Sequence, residues 1–239
     1  MPYLNLSAHS SKQLIEFLGI TDIKVPAITE GRSTVHRERY VMAHLLATKA
    51  ESLFSYPISV IHSDKPDFAI QQGDIYIGIE CVEAVPEEWY EIQTIRERKH
   101  PSSINYLNHY KPGVKLLTKK EKKEFAAGRG TSYPWMGDSA EREWAAAMAL
   151  FIDLKTQKLR TGNYNDFQEV WLLVQDEWRV PIYDEDELRQ AIELCLPLLK
   201  SSWTQPCFNK IFINSRKWLL TLSPDGYSIE SSRDLWRRG

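Results

Sequence analysis

Between residues 56 and 84 the chain reads "YPISVIH", "DFAI" and "IYIGIECVEA", three apolar, β-branched runs broken by Asp-Lys-Pro and Gln-Gln-Gly-Asp. Runs of this length separated by turn residues are strands joined by tight connections. Two longer segments with helical spacing enclose them. In 34–54, Val41, Leu45, Leu46 and Leu53 recur every three or four residues behind a capping Ser or Thr. In the segment that begins at Ser139 and stops near Gly162, Trp144, Met148, Phe151 and Ile152 make one stripe. A β-meander held between two such helices restricts the chain to α/β or α+β, with one mixed central sheet flanked by helices.

The remaining elements extend that plan. "SSKQLIEFLGI" predicts a short capped helix stopped by Gly19, "EVWLLVQ" a buried strand, and "YDEDELRQAIELCLPLLKSS" a helix whose acidic first turn suits the positive end of its dipole. "FNKIFINS" and "KWLLTLSP" predict closing strands, so residues 176–239 complete the sheet. No linker interrupts 1–239, which predicts one domain. Cys81, Cys195 and Cys207 are widely spaced without a CxxC pair, the pattern of reduced core residues in a cytoplasmic protein. No apolar run approaches the ~18 residues of a membrane span, and a formal charge of −2 gives the whole chain no polyanion-binding character. P-loop, GxGxxG and GxSxG motifs are absent, and His36 and His44 have no metal-ligand spacing, which predicts ordinary histidines.

Two acids stand out among the apolar runs. With Gln72-Gly73 as the turn, Ile70 faces Ile75 and Asp67 faces Gly78, and the two-residue alternation then puts Glu80 on the face that Asp67 occupies. A diagonal pair of this kind lies ~7–8 Å apart. Converging carboxylates repel and resist burial unless a proton or cation shares the site. Mg²⁺ is held by one or two carboxylates while it keeps waters and phosphate oxygens, so the pair fits a phosphodiesterase centre using Mg²⁺ or Mn²⁺. Gly78 would leave room above the sheet.

Pro66-Asp67, then Glu80-Cys81-Val82, following a long helix that carries Glu38, resembles the PD-(D/E)XK phosphodiesterase superfamily with its restriction-endonuclease-like core. The resemblance covers roughly 34–175. It implies that Asp67 and Glu80 hold the metal and that Glu38 binds or positions a water. The Lys of the motif falls on Val82, which can neither donate a hydrogen bond nor stabilise an anion. In some members of the superfamily that Lys has moved to a neighbouring helix. The apolar stripe of 141–160, continued by helical spacing, arrives at Lys155 and Lys158, and the spacing does not choose between them.

Residues 96–130 carry ten cationic side chains against three acidic ones. This is either a solvated basic insertion or a flap that closes over a nucleic-acid backbone through Lys111, Lys115, Lys119, Lys120, Lys122, Lys123 and Arg129. The reading that follows is a Mg²⁺-dependent nuclease acting on DNA or RNA. The alternatives are an inactive nuclease-fold module, damaged at Val82, that binds nucleic acid or a protein partner, and a small-molecule enzyme with a chance match.

Overall fold

The computed structural model describes residues 3–86, 88–103, 117–129, 134–162 and 164–236. Its frame is an eight-stranded mixed sheet in which every strand lies beside its predecessor in the chain. The strands are β1 (Leu6–Ala8), β2 (Ile58–His62), β3 (Phe68–Gln72), β4 (Ile75–Ala84), β5 (Glu169–Asp176), β6 (Lys210–Ser215), β7 (Trp218–Ser223) and β8 (Gly226–Ser231). Neighbours are antiparallel except for β4–β5 and β5–β6, which are parallel and form the centre. Among the described residues there are six α-helices: α1 (Ser11–Ile20), α2 (Thr34–Lys49), α3 (Trp89–Lys99), α4 (Lys119–Ala126), α5 (Ser139–Thr161) and α6 (Glu185–Cys195). The chain is therefore α/β, and none of these helices is long and apolar enough to cross a membrane.

Two apolar layers pack on the sheet, one on each face. Leu14 and Leu18 of α1 and Val41, Met42, Leu45 and Leu46 of α2 pack with Phe68, Ile70, Ile77, Ile79, Cys81, Trp171 and Leu173. On the other face Trp144, Met148 and Ile152 of α5, with Leu188 and Ile192 of α6, pack with Ala84, Leu172, Val174, Ile211 and Ile213. The alternation along β4 decides which neighbour each side chain meets. Odd-numbered residues from Ile77 to Cys81 turn toward α2, and even-numbered ones turn toward α5.

The local signals account for the ends of the helices. Ser10 caps α1 by accepting from the Gln13 amide. Asp184 caps α6, accepting from the Glu187 amide while the Glu187 carboxylate accepts from the Asp184 amide. At the start of α2, His36 Nδ1 lies 2.6 Å from the Ser33 hydroxyl and accepts from the Ser33 amide. This, with His44 packed between Tyr40 and Trp236, makes both histidines structural. The three cysteines are buried and unpaired.

One register differs from the expectation. The β3–β4 turn is Gly73-Asp74, with Gly73 at φ 61°, so Ile70 faces Ile77 and Ala69 faces Gly78. Positive φ at the first turn position is what a tight hairpin with right-handed strand twist requires, and Gly supplies it without strain. The slip is by two residues, so the parity that puts Asp67 and Glu80 on one side is unchanged. Continuing the ladder one step beyond Phe68–Ile79 brings Asp67 opposite Glu80 itself.

The basic stretch contains ordered structure. Phe125 and Ala126 of α4 are buried, and the Ser103 hydroxyl donates to the Ala126 carbonyl.

Candidate active site

β3 pairs with β4 only as far as Phe68–Ile79, so from Glu80 onward that edge of β4 has no strand partner among the described residues. Asp67 stands at the point of separation. Its Oδ2 accepts a hydrogen bond from the Cys81 amide at 2.6 Å, replacing the ladder bond that β3 no longer supplies. The approach is fixed from behind: the Ser63 amide donates to the Asp67 carbonyl at 2.9 Å, and the Ser63 hydroxyl donates to the Pro66 carbonyl. Gly78 leaves room here for close packing. A Cβ on it would lie 3.0 Å from Cγ of Pro66 and 3.2 Å from Cγ of Phe167. The glycine thus admits the Pro66 ring that carries Asp67 to the sheet edge, and not open space above the sheet.

Glu80 projects toward α5, where Lys155 meets it with Nζ 2.8 Å from Oε2. The Tyr164 hydroxyl donates to Oε1 at 2.7 Å. Both side chains of the ion pair are mostly enclosed, at 17% exposure for Lys155 and 12% for Glu80. Of the two lysines that the helical stripe pointed to, Lys155 makes this contact. Lys158, one turn further, is exposed and makes no ion pair among the described residues. The stripe ran too far because α5 outlasts the surface it covers: its apolar positions end at Leu159, beside the open side on which Lys158 stands.

Burial and neighbouring charges act on the ionisable groups of the site in opposite directions. Burial pushes the Asp67 carboxyl up to about 6, against the lowering effect of the Cys81 amide, and the nearby Glu80 and Glu38 carboxylates raise it further. Burial works against the charge of Lys155, yet its hydrogen bond to Glu80 and the charges of Glu80 and Asp67 outweigh that, so its pKa is raised and it stays protonated. Tyr164 is likewise held in its phenol form, by burial and by its bond to Glu80. Asp67 and Glu80 therefore bring two carboxyl groups to a face where Lys155 supplies one compensating ammonium, while Glu38 adds its charge from the α2 side. Among the described residues, no hydrogen bond reaches Oδ1 of Asp67.

Glu38 belongs to the opposite face. It lies on α2, with Oε2 2.9 Å from Nε2 of His62 at the end of β2. Between Glu38 and the strand edge is a cavity of about 100 Å³ bordered by Thr34, Arg37, Glu38, Cys81 and Glu83. One step further along β4, Glu83 is gripped by Arg32 at 3.2 Å, by Arg37 and by the Tyr90 hydroxyl. The acids of β4 are thus partnered alternately from the two faces, Glu80 from α5 and Glu83 from α2.

Sequence reasoning singled out Asp67, Glu80, Glu38 and, without choosing between them, Lys155 and Lys158; it did not single out Tyr164, His62 or the Arg32–Arg37–Tyr90 cluster. Nothing in the loop that contains Tyr164 marks it, because its role depends on how the turn after α5 packs. Of the basic side chains assigned to nucleic-acid contact, Lys119, Lys120 and Lys123 are exposed on α4. Lys122 pairs with Glu91 at 2.5 Å and Arg129 with Glu124 at 2.7 Å. Lys111 and Lys115 lie outside the described residues.

The donor set fits a hard divalent ion only of a particular kind. Among the described residues no three His, Cys, Asp or Glu side chains form a metal-holding group. Asp67 and Glu80 offer two carboxylates, which suits an ion that takes most of its ligands from water and substrate oxygens. Thus the fold and site define an α/β protein with a paired-carboxylate, lysine-partnered centre at an unpaired strand edge. No family model, curated protein or solved structure matches the chain.

Proposed function

We propose that this chain is a metal-dependent nuclease with a restriction-endonuclease-like core, hydrolysing phosphodiester bonds in DNA or RNA. The observation that carries the reading is the Lys155 ammonium, delivered from α5 to within 2.8 Å of Glu80, on the acid whose neighbour Val82 stands where the PD-(D/E)XK motif has its lysine. An ammonium is thereby placed beside the two carboxylates although the motif position lacks one. Asp67 and Glu80 would hold Mg²⁺ or Mn²⁺, which when bound neutralises phosphate charge and makes water a better nucleophile. Lys155 stays charged and offers its remaining N–H groups to the scissile phosphate. Tyr164 fixes the Glu80 rotamer, and Asp67 keeps Oδ1 for a ligand. Glu38 orients a water from the α2 side.

Contacts to the polyanion backbone would come from the exposed lysines of α4 together with Lys111 and Lys115, so binding weakens steeply as salt rises and shows little base preference. The three free thiols suit a reducing compartment, and the protein is assigned to the cytoplasm on that ground. A second reading has one observation in its favour. Both Glu80 oxygens already have donors, in Lys155 and Tyr164, as in a site that has become a closed ion pair within a nucleic-acid- or protein-binding module.

Cleavage of plasmid and of single strands with Mg²⁺ or Mn²⁺, by wild type, Glu80→Ala and Lys155→Ala, separates the two. Cleavage abolished in both variants supports the enzyme. Salt-sensitive binding without cleavage supports the nucleic-acid-binding module, and neither activity removes both the nuclease and the nucleic-acid-binding module, leaving the protein-binding one.

A further inference from the structure

A glutamate on a helix has three rotatable bonds, and a water held by it for attack must be placed to a fraction of an ångström. Something has to fix the side chain. Glu38 is fixed by His62, with Nε2 and Oε2 2.9 Å apart. The exposures are unequal: the imidazole is 1% exposed and the carboxylate 14%. Only Glu38 can reach a substrate or a water, so His62 can act only through it.

The imidazole is itself held on two sides, packing against Phe68 with centroids 4.2 Å apart and meeting Tyr3 edge-on at 5.2 Å, and the main chain that carries it is fixed by the His62 N–H, which donates to Oδ1 of Asn5 at 2.8 Å. His62 is also the register partner of Phe68, the residue next to Asp67. Among the described residues its buried Nδ1 has no hydrogen-bond partner, and the bond to Glu38 is the ring's polar contact there. A carboxylate only accepts, which puts the donated proton on Nε2. Beyond Glu38 lies the cavity of about 100 Å³ that borders Cys81, room for a few waters next to the backbone amide that Asp67 caps.

We propose that His62 is a positioning residue for the nuclease: its Nε2–H grips one oxygen of Glu38 and leaves the other to orient a water in the cavity beside Cys81. The proposal rests on the phosphodiesterase reading above. It assigns His62 a mechanistic role that a core histidine of purely structural purpose would not have.

The test compares His62→Leu with His62→Gln, whose amide nitrogen reaches the place of Nε2. Steady-state cleavage with Mn²⁺ is measured on both, on Glu38→Gln and on the double variant Glu38→Gln/His62→Leu. Expected are a kcat about 10- to 100-fold lower in His62→Leu with KM unchanged, recovery of most of it in His62→Gln, and no further loss when His62→Leu is added to Glu38→Gln. Imidazole ¹⁵N shifts of the metal-free protein give a readout independent of activity, and place the His62 proton on Nε2 in wild type but not preferentially in Glu38→Gln. If His62→Leu does not fold, the glutamine variant, Glu38→Gln and the ¹⁵N shifts still decide. Wild-type cleavage with a His62 proton on Nδ1, with unaltered kcat in His62→Leu, or with losses that multiply in the double variant overturns the His62 role alone. Wild type without metal-dependent cleavage overturns the nuclease reading and this role with it.

Discussion

Replacing Asp67 by Asn should make the metal-free protein more stable at pH 8. The Asp67 carboxyl titrates at about 6 in the folded chain against an ordinary value of 3.8, mainly because it is buried, with Glu80 and Glu38 nearby. A raised acid pKa means that the folded state holds the proton longer than the unfolded state does. Wild type is therefore favoured below about pH 4, loses stability as pH rises toward 6, and carries the full penalty above that. About two pKa units at 1.36 kcal/mol each give about 3 kcal/mol, and the solvated fraction of the group reduces this to about 2. Asn keeps an oxygen for the Cys81 amide and removes the charge. In EDTA, Asp67→Asn should melt about 4–8 °C above wild type at pH 8 and lose that advantage near pH 4. Saturating Mg²⁺ should narrow the gap by stabilising wild type alone. The difference between the two proteins is the relevant quantity, since the buried Asp176 and Glu177 titrate in both. An Asn variant less stable than wild type at pH 8, or a difference that does not change with pH, would refute the idea that this acid is held in place against its own electrostatics.

Lys155→Met should destabilise the fold by about 2 kcal/mol, by leaving Glu80 enclosed with only Tyr164, and should abolish cleavage, whereas Lys158→Ala should change denaturant stability by less than about 0.5 kcal/mol. Gly78→Ala sets a methyl 3.0 Å from Pro66; chemical melts should show a loss of about 1–2 kcal/mol, and turnover should fall further than the fraction folded because Asp67 moves with the proline. Val82 shares the α5-facing side of β4 with Glu80, two residues away, so Val82→Lys added to Lys155→Met should restore metal-dependent cleavage to within about tenfold of wild type. A double variant as inactive as Lys155→Met would show that the ammonium is needed from α5 specifically.

The fold was legible wherever one physical signal dominated. The stripes of α2 and α5 and the alternating strands β2, β3 and β4 follow from the period of their apolar residues, and the flanking acids follow from parity, which survived a misplaced turn. Asp67 and Glu80 stayed on one side because the slip was by two residues; a slip of one would have parted them. What failed to show was built from tertiary contact. β1 is three residues long and exists by pairing with β2. β8 lies beyond the last apolar run, with a half-exposed pattern that carries no strong alternation. α3 is weakly amphipathic and held by Trp89 and Ile92. Among site residues, the choice of Lys155 over Lys158 depends on where α5 leaves the sheet, and Tyr164 and His62 gain their roles from partners 84 and 24 positions away.

The parallel step from β4 to β5 has a consequence in time. Asp67 and Glu80 precede it, while Lys155 and Tyr164 lie inside the crossover that β5 closes. A chain emerging from the ribosome has its acidic half long before its ammonium and its phenol arrive, and until β5 docks it is a charged, unfinished sheet edge.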